Sequence, residues 1–264
     1  MDKRFILITP EETLLDKRMA RLRERLEKSQ KTTLLPDSHT SFDADEKTVF
    51  VLPFALSPSR AASLFSAMPK GCRSFGGGLS EEALAIARER RIRHVDLLSD
   101  EEFCQDNALI TAEAALATLI SSTELSLYGM RVAVFGYGRI GKRLTRMFLT
   151  HSASVKVFTS DKEELALLAS RGIASSHLWQ RQDIDSFSAI VNTIPLHHVI
   201  PRDTLLVLDS SAFVLDLASG SNNVDWAALK LLGIKGEHAT SLPGKVSPAS
   251  AAAAMEKAIL KHLQ

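Results

Sequence analysis

Two cysteines, Cys72 and Cys104, are all that this 264-residue chain contains. They stand far apart and without metal-ligand spacing, so neither a disulfide framework nor a zinc site is expected, and no metal is assigned. Charge of one sign is also lacking: 32 Lys and Arg face 31 Asp and Glu, a net charge of +1. A polyanion-binding face needs a clustered excess of cations, so nucleic acid is not an expected partner. The densest basic stretch, Arg88-Glu89-Arg90-Arg91-Ile92-Arg93, carries an acid within it and reads as a solvated helix face. No apolar run approaches the ~20 residues that cross a bilayer, which argues against a membrane protein. The opening Phe5-Ile6-Leu7-Ile8 is too short for the apolar core of a signal peptide, and Pro10 follows closely. The expected address is cytoplasmic. No short internal repeat is visible, and the alanine run Ala251-Ala252-Ala253-Ala254 is the one low-complexity stretch.

What is present is the balance of a globular protein, 45% hydrophobic and 24% charged, with length enough for two domains. Buried-strand runs over 5–9, 48–54, 73–75 and 94–97 alternate with helical patterns over 11–30 and 59–67 and with a helix opening at Ser80. Ser80 followed by Glu81 and Glu82 supplies a cap and early acids for the free N–H groups there. A helix over 111–121 links this region to a second series. That series has strands over 130–135, 155–159, 189–193 and 213–217 and helices over 140–149 and 161–171. The run 205–208 fits either a strand or a helical turn. Ser247 and Pro248 suit the cap and first position of a closing helix over 249–263, with Met255, Ile259, Leu260 and Leu263 on one face. Alternation of this kind predicts an α/β fold with two doubly wound parallel-sheet domains. The division expected is 1–110 plus 248–264 for one domain and 111–247 for the other, with the last helix returning to the first.

The second series opens with a glycine pattern, Gly136-Tyr137-Gly138-Arg139-Ile140-Gly141, between a strand and an amphipathic helix. That context turns a weak motif into a dinucleotide-binding fingerprint: a tight turn, an approach of backbone to pyrophosphate, and close helix–strand packing. The helix N-terminus then faces the phosphates. After the next strand come Thr159, Ser160, Asp161 and Lys162. Asp161, about 20 residues past the last glycine, has the spacing of an acid that holds the ribose 2′-hydroxyl of NAD. It equally fits a helix cap, with Glu164 three residues on. As a cap it would leave Thr159, Ser160 and Lys162 toward the ribose, a set suited to the 2′-phosphate of NADP. NADP is the expected cofactor, with NAD the alternative.

The stretch 127–248 resembles the A subunit of dipicolinate synthase, the enzyme of spore-forming bacteria that makes the calcium-chelating dicarboxylate of the spore core. The resemblance is carried by Tyr128-Gly129-Met130 before the glycine motif, by Asn192-Thr193-Ile194-Pro195 and by Leu215-Asp216-Leu217-Ala218-Ser219. It is carried further by Leu242-Pro243-Gly244-Lys245-Val246-Ser247-Pro248 and by Asn107, Thr111 and Glu113 in an N-x-x-x-T-x-E element. It implies oxidation of a dihydrodipicolinate-like ring to the aromatic dicarboxylate with NADP taking the hydride, beside a flavoprotein-like second subunit, in sporulation. The chain departs from the family where Thr9-Pro10-Glu11-Glu12 replaces a Gly-Gly-Asp turn and Ser160 replaces a basic residue. A third departure is Ala249-Ser250-Ala251-Ala252 in place of Lys-Thr-Ala-Gly.

Hydride transfer needs a nicotinamide held against the substrate, a proton acceptor, and cations or donors for carboxylates. Lys245 is the candidate for a substrate carboxylate, with Ser247 beside it; a solvated surface lysine is the alternative. Asn107 and Thr111 are candidates to line the substrate site, and Glu113 is the candidate base. Asp216 and Ser219 sit at a strand end on the nicotinamide side, and Asn192, Thr193, Ile194 and Pro195 form a loop on the adenosine–ribose side, its backbone shaping the cofactor groove. Two other functions fit the same architecture. A 2-hydroxyacid dehydrogenase would want an arginine where Leu217-Ala218-Ser219-Gly220 stands and an acid–histidine pair, for which His238 has no evident context. A non-catalytic NAD(P)-binding or scaffolding subunit is the other. A homodimer is the default for this build.

Overall fold

The computed structural model describes residues 3–9, 17–39, 41–54, 56–181 and 183–264. The chain divides into two compact units, Met1–Asn107 with Pro243–Gln264, and Ala108–Leu242.

In the first unit the strands are β1 (Arg4–Thr9), β2 (Lys31–Pro36), β3 (Val49–Phe54), β4 (Arg73–Gly77) and β5 (Arg93–Asp96). They form one parallel sheet in the order β2-β1-β3-β4-β5. Phe5 to Ile8 and Val49 to Leu52 are buried without interruption, because a parallel sheet covered on both faces hides odd and even positions alike. Helices α1 (Arg18–Leu26), α2 (Pro58–Ala67) and α3 (Glu81–Glu89) connect the strands. Ser57 and Ser80 cap α2 and α3 by accepting the N–H groups of Arg60 and Ala83. The helix expected over 11–30 is described from Arg18 and ends at Leu26; residues 11–16 lie outside the described residues. Strand β2 comes directly after it and was not expected from the sequence. It is a half-buried edge strand with a single sheet neighbour, so it carries no long apolar run.

The closing helix, Pro248–Lys261 (α10), packs on α1, where Arg25 meets Glu256 at 2.6 Å. The return of the last helix to the first unit is therefore as expected. Two details differ. The Ser247 side chain makes no capping hydrogen bond, since its backbone sits at φ −130, ψ 55 rather than in the extended region a cap uses. Leu260 is exposed, off the stripe that Met255 and Ile259 bury.

Helix α4 (Glu101–Thr123) runs from one unit into the other and is longer than the 111–121 expected. Asp100 starts it by accepting the Phe103 N–H at 3.1 Å.

The second unit holds β6 (Arg131–Phe135), β7 (Ser154–Thr159), β8 (Ala174–His177), β9 (Ala189–Asn192), β10 (Phe213–Asp216) and β11 (Lys235–His238). All pair in parallel, in the order β11-β10-β9-β6-β7-β8. That is the doubly wound dinucleotide-binding order, with its reversal of direction between β6 and β9. Helices α5 (Arg139–Thr150), α6 (Lys162–Ser170), α7 (Arg202–Leu206) and α8 (Trp226–Leu231) accompany them, and α9 (Leu242–Val246) follows, belonging to the first unit from Pro243 onward. The two-residue period of β6 divides its side chains cleanly. Val132 and Val134 join a core with Leu144 and Phe148 of α5, while Ala133 and Phe135 join the opposite core with Phe158 and Ile190. Helix α7 resolves the 205–208 alternative in favour of a helical turn. Strands β8 and β11 were not expected either: Ala-Ser-Ser-His and Lys-Gly-Glu-His at the two sheet edges carry no apolar pattern.

Candidate functional site

The three motif glycines of the second unit meet three different environments. Gly136 has φ +97, and a Cβ there would lie 2.4 Å from Thr193 Oγ1. A side chain at Gly141 would lie 2.1 Å from the Gly136 carbonyl oxygen, so only glycine lets α5 approach the end of β6 this closely. Around Gly138 there is nothing within 4 Å of that position. Gly138 is also the N-cap residue of α5, whose N-terminus carries no side-chain cap. An uncapped helix start beside an open glycine fits a pyrophosphate, and these residues fit a dinucleotide. Tyr137 is not part of that opening: its ring is buried in the core, with Lys142 Nζ 5.5 Å from the ring centroid. Arg139 is exposed and Ile140 half-buried in the first turn of α5.

The ribose edge lies at the end of β7. Asp161 caps α6, its Oδ1 accepting the N–H groups of Glu163 at 2.8 Å and Glu164 at 3.1 Å. Asp161 thus takes the cap role, one of the two that its spacing allows. Thr159 is buried and donates its hydroxyl to Glu164 Oε2 at 2.7 Å, which occupies it. Ser160 and Lys162 remain exposed at this edge. Lys142, which the sequence motif did not single out, stands 3.9 Å from Glu164 Oε1.

The loop after β9 is tied to the motif. Thr193 donates both its N–H and its hydroxyl to the Phe135 carbonyl, at 2.9 and 2.8 Å, so Thr193, Ile194 and Pro195 border the glycine turn. Asn192 is fully buried and knits this loop to the next strand: its Oδ1 accepts the Ile194 N–H, and its Nδ2 donates to Asp216 Oδ1 at 2.8 Å. Asp216, fully buried, also accepts the Ala218 N–H at 3.2 Å and Asn223 Nδ2 at 3.1 Å. A buried carboxylate demands donors, and here neutral amides supply them. Ser219 is exposed, and its carbonyl accepts from Asn223. Asn223 and His238 were missed as members of this network, and Asn192, expected in the loop, was not expected to bond Asp216. Asn223 stands in a polar loop seven residues after Asp216, and nothing local marks it.

The remaining candidates are divided between the units. Asn107, Lys245 and Ser247 belong to the first, Thr111 and Glu113 to the second. Thr111 is buried and Glu113 exposed on α4; Lys245 is half-buried, with no ion pair among the described residues. Among those residues no group of three or more His, Cys, Asp or Glu could hold a metal, and no helix is long and apolar enough to cross a membrane.

No protein-family model matches the chain. Over 196 residues it is 28% identical to the dipicolinate synthase A subunit of Bacillus subtilis (strain 168), a match spanning 74% of this chain and 66% of that protein. The crystal structure of the A subunit of dipicolinate synthase from Bacillus halodurans superposes with a TM-score of 0.80 at 22% identity, covering 99% of this chain and 97% of that one. The apo-structure of D-lactate dehydrogenase from Escherichia coli covers 98% of this chain and 96% of that one, with a TM-score of 0.64 and 13% identity. The resemblance to the A subunit of dipicolinate synthase is borne out, and the fold is shared more widely with dehydrogenases of this build.

Proposed function

We propose that the chain is an NADP-dependent oxidoreductase subunit that oxidises a dihydrodipicolinate-like ring to dipicolinate, beside a flavoprotein-like second subunit. The observation that carries this reading is the open space at Gly138 in front of the uncapped α5, in a chain similar to the dipicolinate synthase A subunit. Bound there, the nicotinamide dinucleotide would supply the hydride acceptor. The backbone from Gly136 to Gly141 would hold the pyrophosphate, and the Thr193-Ile194-Pro195 loop would border the cofactor. At the ribose edge Asp161 is engaged as a cap, which leaves Ser160 and Lys162 to receive a 2′-phosphate and favours NADP over NAD. Asp216 and Ser219 would shape the nicotinamide side. Lys245, Ser247, Asn107, Thr111 and Glu113 remain the candidates for the small dicarboxylate substrate. A cytoplasmic homodimer working in sporulation completes the reading.

Titration calorimetry of the purified chain with NADP(H) and NAD(H), with and without dipicolinate, tests it. NADP(H) should bind at least ~10-fold more tightly than NAD(H), a difference of about 1.4 kcal/mol, and dipicolinate should strengthen it. Gly138→Trp should abolish nucleotide binding. Failure of the parent chain to bind either nucleotide would overturn the reading.

A further inference from the structure

We propose that His238 is the proton acceptor of the ring oxidation, an assignment that rests on the function proposed above and adds a residue to its site. His238 ends β11 and lies in register beside Asp216, at the carboxyl end of β10. Its Nε2 is 3.2 Å from the Ala218 carbonyl oxygen and 3.9 Å from Asp216 Oδ2. A carbonyl only accepts, so this contact places the neutral ring's proton on Nε2. Nδ1 is then the basic nitrogen, and it has no hydrogen-bond partner among the described residues. The side chain is 27% exposed, open enough to meet a ligand and packed enough to hold its orientation.

The surroundings suit a ring that gains charge. Asp216 is fully buried and bonded to Asn192, Asn223 and the Ala218 N–H, none of them a cation. Imidazolium at His238 would be the one positive group at ion-pair distance from it among the described residues. From α8 the Trp226 ring faces His238 at 6.1 Å, and the Asp225 carboxylate is engaged in accepting the Ala228 N–H that caps α8. On its own strand Lys235 and Glu237 precede it. The position also fits the topology. The ribose edge lies at β7, on one side of the pyrophosphate turn at β6, so the nicotinamide half runs toward β9, β10 and β11.

The step balances. A dihydrodipicolinate ring loses two hydrogens on becoming aromatic. One leaves as hydride to the nicotinamide dinucleotide, carrying both electrons, and the other leaves as a proton to His238 Nδ1, which releases it to water.

The test uses the full chain with NADP and dipicolinate, and His238→Gln as the variant. Gln can still donate to the Ala218 carbonyl, so the fold is kept while the base is removed. With the second subunit present, kcat/KM in ring oxidation should fall ~100-fold or more, the scale of a lost general base. NADP affinity should stay within about 2-fold, well under the ~1.4 kcal/mol of a tenfold change. The low-pH limb of the parent's kcat/KM profile should vanish in the variant. Independently of turnover, the 15N signals of the His238 ring should show the Nε2–H form in the free chain. They should then move when dipicolinate is added to the NADP-loaded chain. Unchanged turnover in His238→Gln, or an unmoved ring signal while calorimetry shows both ligands bound, would overturn the assignment and leave the proposed function standing. Absence of nucleotide binding by the parent would overturn both.

Discussion

The two units build the same kind of parallel sheet, and both place glycines at the carboxyl end of a strand, yet those glycines do opposite things. In the first unit, a Cβ at Gly77 would sit 2.8 Å from Asp96 Oδ1 and from Leu98 Cγ, and one at Gly76 would sit 3.1 Å from Leu52 Cβ. These are packing positions, filled by the protein's own side chains. In the second unit, Gly138 faces nothing within 4 Å, although Gly136 and Gly141 on either side of it are tightly enclosed. A glycine-rich strand end is therefore not in itself a phosphate site. The site needs one glycine with space in front of it, held between others that have none.

The sharpest way to break the comparison is to add one methyl group at each kind of position. Gly141→Ala drives a Cβ into the Gly136 carbonyl, a backbone atom that cannot rotate away. It should destabilise the second unit by about 3 kcal/mol, near the upper end for overpacking. That corresponds to a melting transition lower by roughly 6–12 °C. Gly138→Ala, at φ −70 with open space ahead, should leave the transition within about 1 °C while weakening NADP binding at least ~10-fold. Paired thermal melts and calorimetry decide it; equal effects of the two variants would mean that the glycines are not differentiated as the geometry requires.

A smaller effect distinguishes the first unit, whose closing contacts are ionic. Asp100 accepts the Phe103 N–H that starts α4 and meets Lys261 at 3.0 Å and His262 at 2.9 Å from α10. These donors, the Phe103 N–H foremost, hold its carboxyl well below the usual carboxylate range. A depressed carboxylate stabilises the fold above its unfolded value near 3.9, and that stability is lost as the pH falls below it. Asp100→Asn should cost about 1 kcal/mol at pH 7, as for a lost helix cap. Acid titrations of parent and variant should converge as the pH falls from 5 to 3; parallel curves would exclude the linkage.

The smallest effect expected is at His94, whose Nδ1 lies 2.9 Å from Ser74 Oγ and whose Nε2 is buried without a hydrogen bond. Burial holds its protonation below the usual imidazole range, against the opposing pull of Asp96. The unfolded chain then takes up a proton near pH 6.5 that the folded chain refuses, so stability present above that pH is lost as pH falls through it. Denaturant midpoints measured at pH 7.5 and 5.5 should drop further in the parent than in His94→Gln. The second unit's transition should serve as the unchanged reference.

Most of the sheet was legible because parallel strands buried on both faces announce themselves as continuous apolar runs, as in Val-Phe-Val-Leu at 49–52 and Val-Ala-Val-Phe at 132–135. The edges were not. Strands β2, β8 and β11 have one sheet neighbour each, and their Thr, Ser, Lys and Glu residues read as loop. The candidate site divided along the same line. The glycine motif and its flanking strand and helix were visible because they are contiguous. The Asn192, Asp216, Asn223 and His238 network was not, because its members come from three strand ends and a loop.

By itself, the sequence determined the α/β class, the dinucleotide fingerprint and the likeness to the A subunit of dipicolinate synthase, since each rests on local pattern: burial period, glycine spacing, short contiguous segments. Only the tertiary structure decided that Asp161 caps α6, that Thr159 is occupied by Glu164, that Tyr137 turns into the core and that Asp216 lies beside His238. The physical reason is that a polar side chain takes whichever partner folding brings within about 3 Å. Spacing along the chain constrains such partners only within a turn or a helix cap.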